Sequence, residues 1–377
     1  MGAAAPSGGV GRSRLRLRED ISPVTIDLDF WRARRVLVTG HTGFKGAWLS
    51  LWLQSLGAEV TGLSSGAPTT PSLYAQASVA EGMREVRGDV RNGEAVAQAL
   101  ASSDAEVVLH LAAQPMVRRS LREPALTYEV NVMGTLNVLE AVRARAGDVR
   151  AVVVVTSDKC YANPPGATRA FAEGDPLGGA DPYSSSKAAA ELLTAAYRSS
   201  FFSGEGSANV ATARAGNVIG GGDRGEDRLL PDALRAVEAG RPLLVRNPAA
   251  VRPWQHVLAP LAGYMGLAQE LWQGEAVARA WNFGPPASDA RPVGWVVERL
   301  AELWDGELRW EQDGAENPPE AGYLALDSSA ARDGLGWRPA WDLEESLARI
   351  VEWHRRERAG EGARELTLSQ IAEYVGA

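Results

Sequence analysis

A single cysteine in 377 residues, Cys160, rules out an internal disulfide framework and any zinc site built from several cysteines. No apolar run approaches the ~18 residues that a membrane-spanning helix needs. Positive charge is not in excess either: the net charge of −8 argues against nucleic acid or an anionic membrane as the main partner. Lysine is scarce. Of 39 basic residues only Lys45, Lys159 and Lys187 are lysine. Lysine's pKa can be pulled toward neutrality and arginine's cannot, so these three positions are candidates for proton chemistry, against the alternative of plain compositional bias. The first twenty residues carry Arg12, Arg14, Arg16 and Arg18 without a following apolar segment, which is not the pattern of a secretory signal. The expected location is the cytoplasm.

With 45% hydrophobic and 23% charged residues, the chain has the balance of a globular protein of about two domains. Residues 1–27, rich in Gly, Ala, Ser and Arg, read as a flexible leader. Short apolar runs follow at Arg35 to Thr39 (RVLVT), Ala58 to Leu63, Glu106 to Leu111 (EVVLHL), Ala151 to Thr156 (AVVVVT) and Asn209 to Arg214. Near-continuous apolar runs mark strands buried on both faces. Helical patterns lie between them at Gly43 to Leu56, Asn131 to Arg145 and Tyr183 to Phe202. This alternation predicts an α/β fold with a doubly wound parallel sheet. Residues 28–216 and 252–284 are expected to form a dinucleotide-binding domain. Residues 217–251 and 285–377, rich in loops and tryptophan, are expected to form a smaller lobe over the sheet's carboxyl edge.

Three motifs carry chemistry. Gly40, Gly43 and Gly46 (GHTGFKG) follow the first strand and open the first helix, where they form either an ordinary turn or a cradle for a pyrophosphate. Tyr183 and Lys187 form Y-x-x-x-K, a spacing that puts both side chains on one helical face. An ammonium there would bring the tyrosine's phenolate within reach, and the alternative is an exposed helical pair. Ser157, Asp158 and Lys159 stand at a strand's carboxyl end, either as a substrate-alcohol and proton-transfer group or as a polar cap with a local salt bridge.

These motifs together resemble the extended short-chain dehydrogenase/reductases, with a sheet of the Rossmann type. The longer stretches TSDKCY (Thr156 to Tyr161), GGADPYSSSKAAAEL (Gly178 to Leu192), ARAGNVIGGGD (Ala213 to Asp223) and RPWQHVL (Arg252 to Leu258) resemble, within them, the CDP-glucose 4,6-dehydratases. The resemblance covers about Phe30 to His354. It implies bound NAD, CDP-glucose as substrate, no metal and a homodimer paired through the helices that begin near Asn131 and Tyr183. Gly40, Thr42, Gly43, Phe44, Lys45 and Gly46 would hold the cofactor, with Asp89, Val90, Leu111, Ala112, Ala113, Gln114, Asn131, Tyr183 and Lys187. The implied substrate contacts are Gln114, Asn217, Arg228, Arg246, Arg252, His256 and Tyr323.

The implied reaction has Tyr183 taking the C4 hydroxyl proton while Lys187 and Ser157 orient and polarise. Asp158 protonates the departing C6 hydroxyl, and Lys159 stands where related enzymes place the base for C5. Lys159 acts either as that base or as a charged stabiliser of the enolate. Departures from the family pattern are Ser65 and Gly66 where an acid usually meets the adenosine ribose, Arg224 and Pro319 where tryptophan and histidine are usual, and the loop Ala162 to Phe171. The first leaves NAD against NADP open. The others keep open a dehydratase or epimerase acting on another nucleotide sugar. A catalytically silent NAD-binding regulator is the remaining alternative, and an intact Tyr183–Lys187 pair speaks against it.

Overall fold

The computed structural model describes residues 26–304, 306–315 and 321–376. Residues 1–25 of the expected leader, and Pro319, lie outside the described residues. Strands β1 (Arg35–Thr39), β2 (Glu59–Ser64), β3 (Arg84–Arg87), β4 (Val107–His110), β5 (Ala151–Val155) and β6 (Asn209–Arg214) join Ala280–Asn282 in one seven-stranded sheet. The order is Ala280–Asn282, β6, β5, β4, β1, β2, β3, and all six pairings are parallel. The chain runs outward from β1 through β2 and β3, then crosses back to β4 on the other side of β1. Ligands of such sheets bind at the carboxyl ends beside that reversal.

Sequence pattern explains the centre of the sheet. All five residues of β5 (AVVVV) and all four of β4 (VVLH) are buried, as strands covered on both faces require. The edge strand β3 (REVR) is mostly exposed and carries three charges, so it has no apolar signature and escapes a sequence reading. The stretch expected as a helix from Asn131 begins with a π-helical turn, Glu129–Met133, and continues as the helix Gly134–Ala144. Such turns recur at functional sites.

One face of the sheet packs on helix α1 (Phe44–Ser55), the helix Leu258–Gln273 and the carboxyl-terminal helix Ala363–Gly376. The other packs on the helices Gly93–Ser103 and Gly134–Ala144. A further core joins the helices Leu229–Glu238, Val293–Leu303 and Leu343–Arg358 around Trp254 and Trp304. Two features differ from expectation. The carboxyl-terminal helix lies against α1, with Tyr374 edge-on to Trp52 at 6.1 Å, because its apolar side matches the indole surface that α1 presents. Asp27 is fastened to Gln269 by two hydrogen bonds, which anchors the last residues of the expected leader.

Candidate active site

The turn between β1 and α1 is shaped by what glycine lacks. Gly40 has φ +75°, in the left-handed region, and a Cβ there would lie 2.8 Å from the backbone of Ala112. A Cβ on Gly46 would strike the Gly40 carbonyl and come within 2.7 Å of His41 Cα. Gly43 caps α1, and no side chain among the described residues bonds to the helix start there. The leading N–H groups of α1 are therefore left for an anion, which suits a dinucleotide pyrophosphate. Thr42 Oγ1 holds the end of β2 through Ser64 Oγ at 2.6 Å and the Gly66 carbonyl at 2.8 Å. On the other side Thr39 Oγ1 accepts from the Ala112 N–H at 3.1 Å and bonds His110 Nδ1 at 2.7 Å. This keeps Leu111, Ala112 and Ala113 close to the cradle. Burial pushes His110 down to about 3, so it stands there as a neutral ring.

The long helix Pro182–Phe201 starts at an Asp181 cap, whose carboxylate accepts from the Ser184 N–H at 2.9 Å. Tyr183, Lys187 and Glu191 follow at four-residue spacing on its buried face. Lys187 Nζ donates to the Val155 carbonyl at the end of β5, 3.2 Å away, and burial draws its pKa down to about 8. Glu191 accepts from Thr212 and from Arg214 Nη2, the latter at 2.8 Å with both side chains only 3% exposed. Tyr183 is buried and hydrogen-bonded to Ser157. Its pKa is pushed up to about 12, chiefly by burial, while the Ser157 bond and the Arg228 charge oppose the rise. Sequence spacing pointed to Lys187 as the group that acts on Tyr183; Ser157 and the Arg228 charge also favour its phenolate, while the Lys187 amine bonds the end of β5.

Just past β5, Ser157 Oγ donates to Asp158 Oδ1 at 3.0 Å and accepts from the Lys159 N–H at 3.2 Å. Asp158 is 2% exposed, its Oδ2 has no hydrogen-bond partner among the described residues, and burial pushes its pKa up. The charges of Lys159, Arg252 and Lys45 pull the other way. Ser157, Asp158, Lys159, Tyr183, Lys187, Arg228 and Arg252 thus converge, and Lys45 joins them. Its Nζ donates to Tyr264 Oη at 3.3 Å, and burial with the charges of Lys187 and Arg228 lowers its pKa to about 7. Lys45, expected to hold the cofactor from its turn, extends its amine toward the catalytic groups.

The remaining expected contacts stand in varied surroundings. His256 is fully buried between Trp48 at 5.8 Å and Trp341 at 4.9 Å, with its pKa pushed down to about 3. It is a core ring and not a substrate contact. The Gln114 amide is spent inside its own loop, donating to the Met116 carbonyl and Thr127 and accepting from the Met116 N–H. Asn131 is likewise a tie: it bonds the Gln114 backbone and Ser186 on the long helix. Asp89 Oδ2 accepts from Arg91 Nη2 at 2.8 Å and from Nε at 3.1 Å. Val90 backs the Gly134 backbone. Arg246 pairs with Asp227, and Asn217 adopts φ +43° at the end of β6. Tyr323 bridges to Val251, next to Arg252.

Sequence reasoning missed Tyr264, Ser120, Glu191 and Arg118. Ser120 accepts from the Tyr183 N–H at 3.1 Å and seats the long helix. Only the Glu191 spacing from Lys187 carried a readable signal.

A glycine cradle at the switch of a parallel sheet, with a buried tyrosine and lysine on one helical face, defines a dinucleotide-binding enzyme of the extended short-chain dehydrogenase/reductase class. Residues 36–271 match the model of the NAD dependent epimerase/dehydratase family, and the chain belongs to that family. It is 46% identical to a CDP-glucose 4,6-dehydratase of Salmonella typhimurium over 357 residues, covering 93% of this chain and 99% of that protein. A solved structure of MoeE5 in complex with UDP-glucose and NAD superposes with a TM-score of 0.72 at 28% identity, covering 86% of this chain and 99% of that one. DesIV, a dTDP-glucose 4,6-dehydratase from Streptomyces venezuelae solved with NAD and TYD bound, superposes with a TM-score of 0.71 at 25% identity, covering 86% and 98%.

Proposed function

We propose that the chain is an NAD-dependent nucleotide-sugar 4,6-dehydratase, a hydro-lyase of deoxysugar biosynthesis that converts CDP-glucose to CDP-4-keto-6-deoxyglucose and water. Asp158 carries this reading. A buried carboxyl group whose pKa burial pushes upward, with an unpartnered oxygen beside Ser157 and Tyr183, is placed to serve as the acid that loss of a C6 hydroxyl requires. Epimerisation at C4 has no use for it. The 46% identity to the Salmonella CDP-glucose enzyme over nearly the whole of both chains supports cytidine as the base.

The Gly40–Gly46 cradle and the N–H groups of α1 would hold the NAD pyrophosphate, with Leu111, Ala112 and Ala113 beside it. NAD, when bound, supplies a hydride acceptor for C4 and later a donor for C6, and its oxidised ring brings a positive charge that favours ionisation nearby. Tyr183 accepts the C4 hydroxyl proton, with Ser157 bonded to it and Arg228 lowering the cost of its phenolate. A ketone at C4 acidifies the C5 hydrogen. Lys159, next to Asp158 in sequence and acting on it electrostatically, removes that proton, and Asp158 delivers its own to the leaving C6 oxygen. Arg228 and Arg252 have the planar fork that suits a diphosphate.

Residues 28–216 and 252–284 serve the dinucleotide, and 217–251 with 285–377 serve the nucleotide sugar. The active form is a homodimer working in the cytoplasm, where nucleotide sugars and NAD are found. Leu121, Tyr128, Met133 and Leu192 leave an apolar surface on neighbouring helices, with Leu192 61% exposed and Tyr128 bonded to Ser185 of the long helix. No helix among the described residues is long and apolar enough to cross a membrane. Incubating the protein and NAD with CDP-, dTDP-, UDP- and GDP-glucose, and reading the 4-ketosugar chromophore in alkali, tests the proposal. Product from CDP-glucose is expected; product from another nucleotide only, or C4 epimer without ketosugar, would overturn it.

A further inference from the structure

Next to the catalytic groups, two arginines from separate parts of the fold meet one carboxylate. Arg118 lies in the first turn of the helix Val117–Arg122, directly after the loop of Gln114, and its Nη1 is 3.4 Å from Asp227 Oδ1. Arg246 follows the strand Leu243–Val245 in the smaller part of the molecule. Its Nη1 is 3.9 Å from the same oxygen, and its Nη2 donates to the Asp227 carbonyl at 3.4 Å. Asp227 sits at φ +56°, in the left-handed region that Asp adopts more readily than most L residues. The three side chains are 26% to 33% exposed, so a ligand can reach them.

The following residue, Arg228, pairs with Asp223 at 3.1 Å, and its charge acts on Tyr183 and on Lys45. Asp227 is thus next in sequence to a residue whose charge reaches the catalytic groups, and its carboxylate lies between guanidinium groups that the two parts of the molecule contribute. Its pairings are long for charge-assisted bonds, which close to about 2.7–2.9 Å when well made. The buried Arg214–Glu191 pair, at 2.8 Å, is of the tight kind. Asp227 has one oxygen near both arginines, whereas a diphosphate offers several oxygens and more charge.

We propose that Asp227 is a built-in competitor for the diphosphate of the nucleotide sugar. Its carboxylate keeps Arg118 and Arg246 gathered, and the substrate's diphosphate displaces it. Arg118 then becomes a diphosphate contact supplied from the sheet side of the site. This inference rests on the nucleotide-sugar reading above. No bond is made or broken in the exchange; one anion replaces another on two cations.

Calorimetric titration of the full chain with CDP, and with cytidine as the phosphate-free control, tests it. Asp227→Asn is expected to bind CDP about three- to tenfold tighter, the scale set by removing two partly exposed ion pairs. Asp227→Ser serves as a second neutral variant, and Arg118→Gln should bind CDP about tenfold more weakly. Cytidine binding should be the same in every variant. Unchanged or weaker CDP binding in both Asp227 variants, with or without a lower melting temperature, makes Asp227 a structural tie and overturns the proposal. Unchanged CDP binding in Arg118→Gln removes Arg118 from the diphosphate site. If the unmodified chain binds no nucleoside diphosphate at all, the nucleotide-sugar reading itself has failed, a result distinct from either of these.

Discussion

Gly216 lies over the Asp158 carboxyl, and replacing it with alanine tests whether that carboxyl carries the elimination. A Cβ on Gly216 would stand 2.5 Å from Asp158 Oδ1 and closer still to Cγ and Oδ2. Comfortable non-bonded contact between carbon atoms begins at about 3.5 Å, so the carboxyl must turn or retreat by about 1 Å or more. Gly216 is outside the left-handed region, so alanine adds little backbone strain and the clash falls on the carboxyl. A misplacement of about 1 Å costs on the order of 10²-fold in rate, equivalent to about 2.7 kcal/mol of barrier. Asp158→Asn, which keeps the shape and removes the proton, should cost ~10²–10⁴-fold. Both changes remove one function, so the double variant should be no slower than Asp158→Asn by more than about threefold. The assay is ketosugar formation from CDP-glucose, for kcat and KM, with reduced-nicotinamide absorbance in a single turnover to follow C4 oxidation. A fall in kcat with KM nearly constant and C4 oxidation intact is expected. Gly216→Ala turning over within about threefold of the unmodified enzyme, or penalties that multiply in the double variant, would refute the reasoning.

Four further outcomes are expected. Tyr183→Phe should lower C4 oxidation by ~10²–10⁴-fold while CDP affinity stays nearly constant, checked by single-turnover absorbance and calorimetry. Lys159→Met should oxidise C4 but stall before elimination, so the C5 hydrogen no longer exchanges with heavy water; normal exchange would make Lys159 a structural residue. Glu191→Ala leaves the Arg214 charge buried and unpaired and should destabilise the protein by about 3–5 kcal/mol in urea unfolding. Lys187, with its pKa lowered to about 8, is charged below that pH and neutral above it. Catalysis that uses its charge is therefore retained below about pH 8 and lost as pH rises through it. The basic limb of kcat/KM should fall there and move upward in Lys187→Arg.

Much of this molecule is local enough to read from the chain. β5 is AVVVV, and an uninterrupted apolar run of that length has one comfortable home, the middle of a sheet covered on both faces. The glycines at 40, 43 and 46 mark a turn whose packing leaves no room for side chains at 40 and 46. Tyr183 and Lys187, four apart, share a helical face wherever that helix docks. Glu191 extends the same face and was legible by the same rule.

Tertiary structure alone decided what depends on sums over remote elements. His256 reads as a polar candidate in RPWQHVL, yet Trp48 and Trp341, distant in sequence, enclose it and strip it of water. Lys45 belongs to the cofactor turn by position, but the length of its side chain carries the charge to Tyr264 and the catalytic groups. The Asp158 carboxyl has its pKa pushed up by burial, in a place so close to Gly216, from beyond β6, that no side chain would fit between them. Arg118 and Asp227 meet across two parts of the fold that no spacing rule connects. Periodicity and turn chemistry act over a few residues and are written in order along the chain. Burial and electrostatic potential are set by whatever the fold brings near, and the sequence does not record that order.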